Sequence, residues 1–129
     1  MVSLGSGNMA IQSKPAVSIV VSVKNGEEYI CACFNAIARL TAPRDCFEVL
    51  LVDNDSTDRT VDLASVFENL FDLKIYCSHG ASVSEVRNYG ITRSSGKVIA
   101  FLDADCIVPP EWLEKWLAAF HLGLEKYRR

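Results

Sequence analysis

The sequence predicts an α/β domain of three layers, in which helices cover both faces of a mainly parallel sheet. Residues 17–23 (VSIVVSV), 47–52 (FEVLLV) and 98–102 (VIAFL) are short runs of apolar, often β-branched residues, which are typical of strands buried on both faces. Apolar residues at helical spacing follow each run. Because strand and helix patterns alternate along the chain, crossover connections are needed and the strands are expected to run parallel.

The first two helices each follow a buried strand. Asn25 is predicted to cap the first helix, with Glu28 three residues later, and this helix ends before Pro43. Its apolar stripe consists of Tyr29, Ile30, Cys33, Phe34, Ile37 and Leu40. The second helix follows the turn-forming segment 53–58 (DNDSTD). Its buried face is predicted to consist of Leu63, Phe67 and Leu70.

The second half of the chain repeats the pattern with a weaker strand. Residues 73–77 (LKIYC) alternate in polarity, which favours a strand at the edge of the sheet. Ser82 and Glu85 have the spacing of a capping box for a third helix, which ends at 94–96. Pro110 suits the first turn of the last helix. The stripe of that helix, expected in the core, consists of Trp112, Leu113, Trp116, Leu117, Phe120 and Leu124.

The composition indicates one soluble globular domain, predicted over residues 17–129 after a flexible leader at 1–16. The chain has 129 residues, of which 50% are apolar and 22% charged, and its net charge is −3 without a basic patch, so nucleic-acid binding is not expected. No segment is apolar enough to span a membrane, and the predicted location is the cytoplasm. Its five cysteines lack metal-ligand spacing and are interpreted as reduced core residues.

Acidic and polar residues follow the predicted buried strands. Ser22 and Lys24 end the first strand, Asp53 ends the second, and Asp103 and Asp105 end the fourth. In parallel sheets ligands bind at these carboxyl ends, where strand order reverses. Two carboxylates about 4 Å apart repel by about 4 kcal/mol at an effective dielectric constant of 20. A hard divalent ion, Mg²⁺ or Mn²⁺, relieves that repulsion and pairs with phosphate oxygens, so a phosphorylated ligand is predicted.

Several other signatures are absent. The segment from Asp53 begins like an EF-hand loop, but its sixth position is Asp58 and its twelfth is Ala64, which excludes that calcium site. Asp55 and Asp58 are interpreted as turn and cap residues. The sequence contains no P-loop, no G-x-G-x-x-G and no G-x-S-x-G. Walker NTPases, Rossmann dehydrogenases and serine hydrolases are thereby excluded.

Three ordered segments resemble the family 2 glycosyltransferases of GT-A fold. They are residues 17–30 (VSIVVSVKNGEEYI), 48–64 (EVLLVDNDSTDRTVDLA) and 82–114 (SVSEVRNYGITRSSGKVIAFLDADCIVPPEWLE). The similarity covers about residues 17–120. It implies the Rossmann-like, nucleotide-binding half of an inverting enzyme that transfers a sugar from a nucleotide-diphosphate sugar with help from a metal at the D-x-D motif.

The resemblance also implies roles for individual residues. Ser22 and Lys24 match positions that line the base and ribose site, and Asp53 matches the Asp that reads the base edge. Arg87 matches an Arg near the base and the diphosphate, where a planar guanidinium suits an anion or a carbonyl.

The D-x-D motif receives the two remaining roles. Asp103 matches the residue near the ribose, and Asp105 matches the one that binds Mg²⁺ or Mn²⁺. The family's acceptor-binding half and catalytic carboxylate come later than the last residues of this chain, so the chain is expected to supply donor binding only. The acids after Asp105 are interpreted as a solvated helix face, and no catalytic base is assigned: Glu111, Glu114 and Glu125.

Two alternatives are phosphoryl-binding modules, and one further prediction concerns association. A receiver-like regulatory domain would place its acid pair after the first strand, where Lys24 and Asn25 stand. A phosphatase resembling the haloacid dehalogenases would place its D-x-D there too.

Because no residues remain for a strand beside 98–102, the chain is also predicted to form a homodimer, or to aggregate, through this strand and the last helix.

Overall fold

The computed structural model describes residues 15–126, and within them a parallel sheet carries helices on both faces. The predicted α/β class is confirmed. The elements follow in chain order: β1 Val17–Val23, α1 Ile30–Ala38, a 3₁₀ turn Arg44–Cys46, β2 Phe47–Asn54, α2 Thr60–Ser65, β3 Leu73–Ser78, α3 Val83–Arg93, β4 Val98–Asp103 and α4 Trp112–Lys126.

The order of the strands determines where a ligand site can form. The sheet has the order β3-β2-β1-β4, and every pair is parallel. The chain therefore builds outward from β1 through β2 to β3 and then returns to the other side of β1. Strand order reverses between β1 and β4, where ligands of open α/β sheets bind. In the register of these strands Ser22 lies opposite Asp103, and Val23 lies opposite Asp53.

Alternate residues of the strands fill a separate core on each face of the sheet. One core joins β1 and β2 to α1, α2 and α4, and its centre is an aromatic cluster in which Phe34 meets Phe67 edge-on at 5.5 Å between ring centroids. The other core is smaller and packs Val20 and Val86 between the sheet and α3. Gly90 allows that approach, since a Cβ there would lie 2.6 Å from Cγ1 of Val20.

Three predictions about helix ends were wrong. Asn25 does not cap α1: its φ is 52°, and Tyr29 precedes the helix without a side-chain cap. The second helix, α2, stops at Ser65, and Leu70 lies beyond it with 51% of its surface exposed. Pro110 precedes α4 by two residues instead of standing in its first turn. For Asn25 the reason is visible, because hydrogen bonds to Ser56 and Thr57 hold the residue in a loop conformation.

Other predicted features of the second half are confirmed. β3 lies at one edge of the sheet. The capping box is formed, with Ser82 Oγ accepting from the Glu85 N–H and Glu85 Oε1 accepting from the Ser82 N–H. The prediction that residues 98–102 are buried on both faces was wrong. β4 lies at the other edge of the sheet among the described residues, so one side of it is open; only Ala100 of this run is buried, and Phe101 is 42% exposed.

The last helix and the cysteines divide between core and surface. In α4, Leu113 is fully buried but Trp116 is 38% exposed, and the side chains of Phe120 and Leu124 lie outside the described residues.

All five cysteines are free, as predicted, yet the core interpretation was wrong for Cys77 and Cys106, which are exposed. None of the helices within residues 15–126 is long and apolar enough to cross a membrane.

The predicted leader lies almost entirely outside the described residues, which begin at residue 15. Its last residue, Ala16, already belongs to the domain. The Ala16 N–H donates to the Cys46 carbonyl at 2.8 Å, and the Ala16 carbonyl accepts from the Val98 N–H at 3.1 Å.

Candidate functional site

The carboxyl end of β1 forms a ridge between two clefts. The α3-side cleft has a volume of about 190 Å³ and is lined by Ser22, Val23, Lys24, Asn54, Val83 and Val86. The Asp105-side cleft has about 170 Å³ and is lined by Ser22, Val23, Lys24, Asn25, Gly26, Tyr29, Ala104 and Asp105. The predicted residues Ser22 and Lys24 line both clefts, so a ligand lying across the end of β1 would touch each of them.

Asp53, at the end of β2, carries a buried acceptor without a partner. The residue is 3% exposed, and its Oδ2 accepts from the Ser56 N–H at 3.1 Å. Its Oδ1 is buried and has no hydrogen-bond partner among the described residues. Leaving a buried acceptor unsatisfied costs about 1–3 kcal/mol, and native proteins seldom tolerate that without a reason such as a missing ligand. Asp53 lines neither of the two clefts, so an N–H group of a ligand would reach Oδ1 only if the residues that cover it move.

Asp103 and Asp105 project from the end of β4 and form a cluster of possible metal ligands together with Cys106. One ligand atom from each of the three residues lies within 4.8 Å of the others, and both carboxylates are exposed. Asp53 is not a member of this cluster. Cys106 was missed because it was interpreted as a core residue.

The donor set of this cluster suits a divalent ion shared with phosphate oxygens. Two exposed carboxylates provide too few ligands to enclose Mg²⁺ or Mn²⁺, and such ions are held in proteins by one or two carboxylates with phosphates and water completing the shell. The thiol of Cys106 is a softer ligand that Mn²⁺ tolerates better than Mg²⁺ does. The residues present therefore fit a phosphate-bound divalent ion.

Arg87 lies on α3 on the same side of the sheet as Asp103. Its guanidinium carbon lies 5.5 Å from the ring centroid of Phe101 in β4, and Phe101 and Asp103 share a face because side chains alternate along a strand. Arg87 is exposed and lines neither of the two clefts. Its contact with Phe101 orients the guanidinium at the open edge of the sheet, where it remains accessible to an anion.

Cys33 is a buried residue of α1 close to Asp105 and Cys106. Burial, together with the smaller effects of the neighbouring Cys106 and Asp105, raises the pKa of its thiol to about 12. Cys33 is 1% exposed. It is therefore a neutral, unreactive core thiol, in contrast to the exposed Cys106.

The sequence-based prediction also missed an ionised network at the opposite end of the sheet. Glu48, 1% exposed, accepts from Ser18 Oγ at 2.5 Å, from the Ser95 N–H at 2.8 Å and from Lys74 Nζ at 2.9 Å. Burial alone would raise the pKa of Glu48, but these hydrogen bonds outweigh it and lower the pKa to about 2. The only signal was an acidic residue within an otherwise apolar strand.

Comparison with known sequences identifies similar proteins over most of the chain. Residues 18–123 match the sequence model of glycosyl transferase family 2. Glycosyltransferase AglE of Haloferax volcanii is 42% identical over 103 residues, which cover 78% of this chain and 34% of AglE. The poly(ribitol-phosphate) β-N-acetylglucosaminyltransferase TarS of Staphylococcus aureus is 31% identical over 105 residues, which cover 80% of this chain and 18% of TarS.

Comparison with solved structures finds the same fold. S. aureus TarS 1-349 in complex with UDP-GlcNAc superposes with a TM-score of 0.76 at 29% identity, over 79% of this chain and 30% of that one. The mannosyltransferase PcManGT of Pyrobaculum calidifontis, solved with GDP-Man and Mn²⁺, gives 0.71 at 25% identity, over 82% of this chain and 33% of that one. The chain thus spans about a third or less of the length of these relatives.

Proposed function

The chain belongs to glycosyl transferase family 2, and from that premise we propose that it forms the donor-binding half of an inverting glycosyltransferase that uses a nucleotide-diphosphate sugar. The observation that carries the proposal is the convergence of Ser22, Asp53 and Asp103 at the carboxyl ends of β1, β2 and β4, where strand order reverses. Because the chain belongs to this family, the two alternatives, a receiver-like regulatory domain and a phosphatase resembling the haloacid dehalogenases, are set aside. The relatives solved with UDP-GlcNAc and with GDP-Man support a nucleotide sugar as the ligand.

The nucleoside is held by β1 and β2 in this proposal. The unpartnered Oδ1 of Asp53 accepts a hydrogen bond from an N–H on the edge of the base. Ser22 and Lys24, which line both clefts, contact the base and the ribose. A buried acceptor that is satisfied only by the correct base edge discriminates strongly against ligands that lack the donor.

The diphosphate is held between β4 and α3. Asp103 contacts the ribose, Asp105 holds Mg²⁺ or Mn²⁺, and Arg87 faces the diphosphate or the base. When bound, the ion offsets the negative charge that develops on the departing nucleoside diphosphate, a contribution of several kcal/mol to the transition state. The exposure of both carboxylates supports this role, because it leaves room for phosphate oxygens in the coordination shell.

Calorimetric titration with UDP, GDP and dTDP, each with and without Mn²⁺, tests the proposal. We expect one of these nucleotides to bind in a manner that depends on Mn²⁺, and Asp105→Asn to weaken that binding about tenfold or more, since it removes the charge that holds the ion. Asp62→Asn is the matched control, because Asp62 is an exposed acid on α2. If none of the three nucleotides binds with the metal and Asp105→Asn changes nothing, the proposed function is wrong.

We assign no catalytic base to this chain, and we expect the purified chain to transfer little or no sugar even when it binds donor. Of the acids after Asp105, Glu111 is exposed, Glu114 accepts a hydrogen bond from Thr41 Oγ1, and the side chain of Glu125 lies outside the described residues. Loss of general base assistance lowers a rate by about 10²- to 10⁴-fold. Robust transfer to a defined acceptor would contradict this expectation.

Association of two chains through β4 and α4 also remains a prediction, as does a cytoplasmic location. The open side of β4 at the sheet edge and the exposed ring of Phe101 support it, since unpaired strand edges and apolar patches favour association. Light scattering on a size-exclusion column is expected to report a mass above the 14.2 kDa of the monomer. A monomer across micromolar concentrations would contradict the prediction.

A further inference from the structure

The loops after β1 and β2 are joined by a set of hydrogen bonds that the sequence did not predict. Residues 25–27 and 56–60 exchange these bonds, and we call the set the loop clasp. The Asn25 N–H donates to Ser56 Oγ at 2.7 Å, and the Thr57 N–H donates back to Asn25 Oδ1 at 2.8 Å. The Gly26 N–H donates to Thr60 Oγ1 at 2.9 Å.

Residues 27, 58 and 59 contribute further hydrogen bonds to the clasp. The Glu27 N–H donates to Asp58 Oδ2 at 3.2 Å, and the Arg59 N–H donates to Glu27 Oε1 at 3.0 Å. Asp58 also accepts from the Thr60 N–H at 3.0 Å. The two acids that follow Asp53 in the segment 53–58 therefore make different contacts. Asp58 ties the loops together, whereas Asp55 faces outward, with its Oδ1 at 3.4 Å from His79 Nδ1.

The clasp connects the two sides of the candidate nucleotide site through a single residue. The Ser56 N–H donates to Asp53 Oδ2, and Ser56 Oγ accepts from the N–H of Asn25, the residue next to Lys24. The first bond fixes the carboxylate so that Oδ1 is left free. The second holds the backbone beside Lys24, where Asn25 adopts a φ of 52°, a conformation that costs about 1 kcal/mol or more for most residues other than glycine.

We propose that Asn25 and Ser56 are positioning residues of the donor site, which set the placement of Lys24 relative to the free oxygen of Asp53. The inference rests on the proposed function, because it assigns the two residues to nucleotide binding. Ser56 lines neither cleft and acts on the nucleotide through its neighbours, whereas Asn25 also lines the Asp105-side cleft. The clasp reaches the Asp105-side cleft through Asn25 and Gly26, but none of its residues belongs to the cluster of Asp103, Asp105 and Cys106. We therefore expect the clasp to affect binding of the nucleoside more than binding of the metal.

Two substitutions disconnect the clasp while leaving the backbone able to adopt its conformation. Asn25→Gly retains the left-handed φ and removes the acceptor for Thr57. Ser56→Ala removes the acceptor for the Asn25 N–H and keeps the Ser56 N–H that Asp53 needs. Ser56→Thr keeps a hydroxyl acceptor for the Asn25 N–H without adding charge and is the conservative rescue. Asp55→Gly is the matched control, because Asp55 has a φ of 66° in the same loop and its side chain makes no bond of the clasp.

The test compares nucleotide affinity with Mn²⁺ affinity in variants that circular dichroism shows to be folded, using the nucleotide that the wild-type chain binds. We expect Asn25→Gly and Ser56→Ala to weaken nucleotide binding about threefold to tenfold, the range that corresponds to the net free energy of one hydrogen bond. Binding of Mn²⁺ alone is expected to stay within about twofold of wild type. Ser56→Thr and Asp55→Gly are expected to bind nucleotide like the wild type.

The outcomes distinguish this inference from the proposed function. Nucleotide affinity within about twofold of wild type in both Asn25→Gly and Ser56→Ala would overturn the positioning role and leave the proposed function intact. An equal loss of Mn²⁺ affinity would also overturn it, because that result indicates general distortion of the site. If the wild-type chain itself binds no nucleotide, the proposed function fails and the positioning role fails with it.

Discussion

Replacing Glu48 by glutamine tests how the buried network at the amino end of the sheet stabilises the fold. The glutamine is nearly isosteric, but only one end of its amide can accept a hydrogen bond. One carboxylate oxygen of Glu48 faces Ser18 and Ser95, and the other faces Lys74. Whichever way the amide turns, its NH₂ group points at a donor, so the variant loses interactions on one side and gains a repulsive contact.

The magnitude follows from the pKa of Glu48, which is lowered from an ordinary value of 4.5 to about 2. At 1.36 kcal/mol per pKa unit, ionisation of Glu48 stabilises the folded chain by roughly 3 kcal/mol. Because the folded-state pKa lies below the unfolded one, this stability is fully present above about pH 5 and is lost as the pH falls toward 2. We therefore expect Glu48→Gln to lower the free energy of unfolding by roughly 3 kcal/mol at neutral pH.

Urea unfolding of the wild type and the variant at about pH 7 and about pH 3 measures this difference. The difference in the free energy of unfolding between the two proteins is expected to shrink at the lower pH. Protonation of Glu48 then removes from the wild type the stabilisation that the variant lacks at every pH. Asp72→Asn is the control, since Asp72 contacts the same Lys74 at 3.2 Å but is exposed, and we expect it to cost less than about 1 kcal/mol. A gap below about 1 kcal/mol at neutral pH, or one independent of pH, would refute the reasoning.

Two further predictions concern packing and thiol reactivity. Gly90→Ala is expected to lower the free energy of unfolding by about 1–3 kcal/mol in urea, because its Cβ would lie 2.6 Å from Val20; an unchanged midpoint would show that α3 moves away without cost. In the folded chain iodoacetamide is expected to label Cys77 and Cys106 but not Cys33, as read by mass spectrometry. Mn²⁺ is expected to slow labelling of Cys106 and to leave Cys77 unaffected, and equal slowing of both would argue against an ion at the D-x-D cluster.

The strands and the edge that carries the site could be predicted because their signals are local. An apolar run such as 17–23 indicates a strand of a parallel sheet, and the polar residues that follow it must emerge at the carboxyl edge. The sequence therefore predicts that Ser22, Asp53 and Asp103 lie at one edge of the sheet, and the strand register confirms this placement. The similar run 98–102 is less buried, because burial also depends on which strands lie beside it.

The loop clasp and the buried network could not be predicted, because each depends on partners far along the chain. Asn25 has the residue type and spacing of a helix cap, but bonds to residues about thirty positions away hold it in a left-handed conformation instead. Glu48 lies within an apolar strand, and the three segments that satisfy its charge meet only after the sheet forms. Sequence patterns report the preference of a segment, whereas these features are set by the tertiary contacts that override it.

The most direct test of the central claim is paramagnetic relaxation in the ¹H–¹⁵N spectrum of the chain, with the bound nucleotide and Mn²⁺ compared with the same sample containing Mg²⁺. We expect Mn²⁺ to broaden the amide signals of residues 103–106 most strongly, and the nucleotide to shift the amide signals of residues 22–26 and 53–56. Broadening centred elsewhere, for example near the exposed Asp62 of α2, or nucleotide shifts outside the ends of β1, β2 and β4, would contradict a donor site at the carboxyl edge of the sheet.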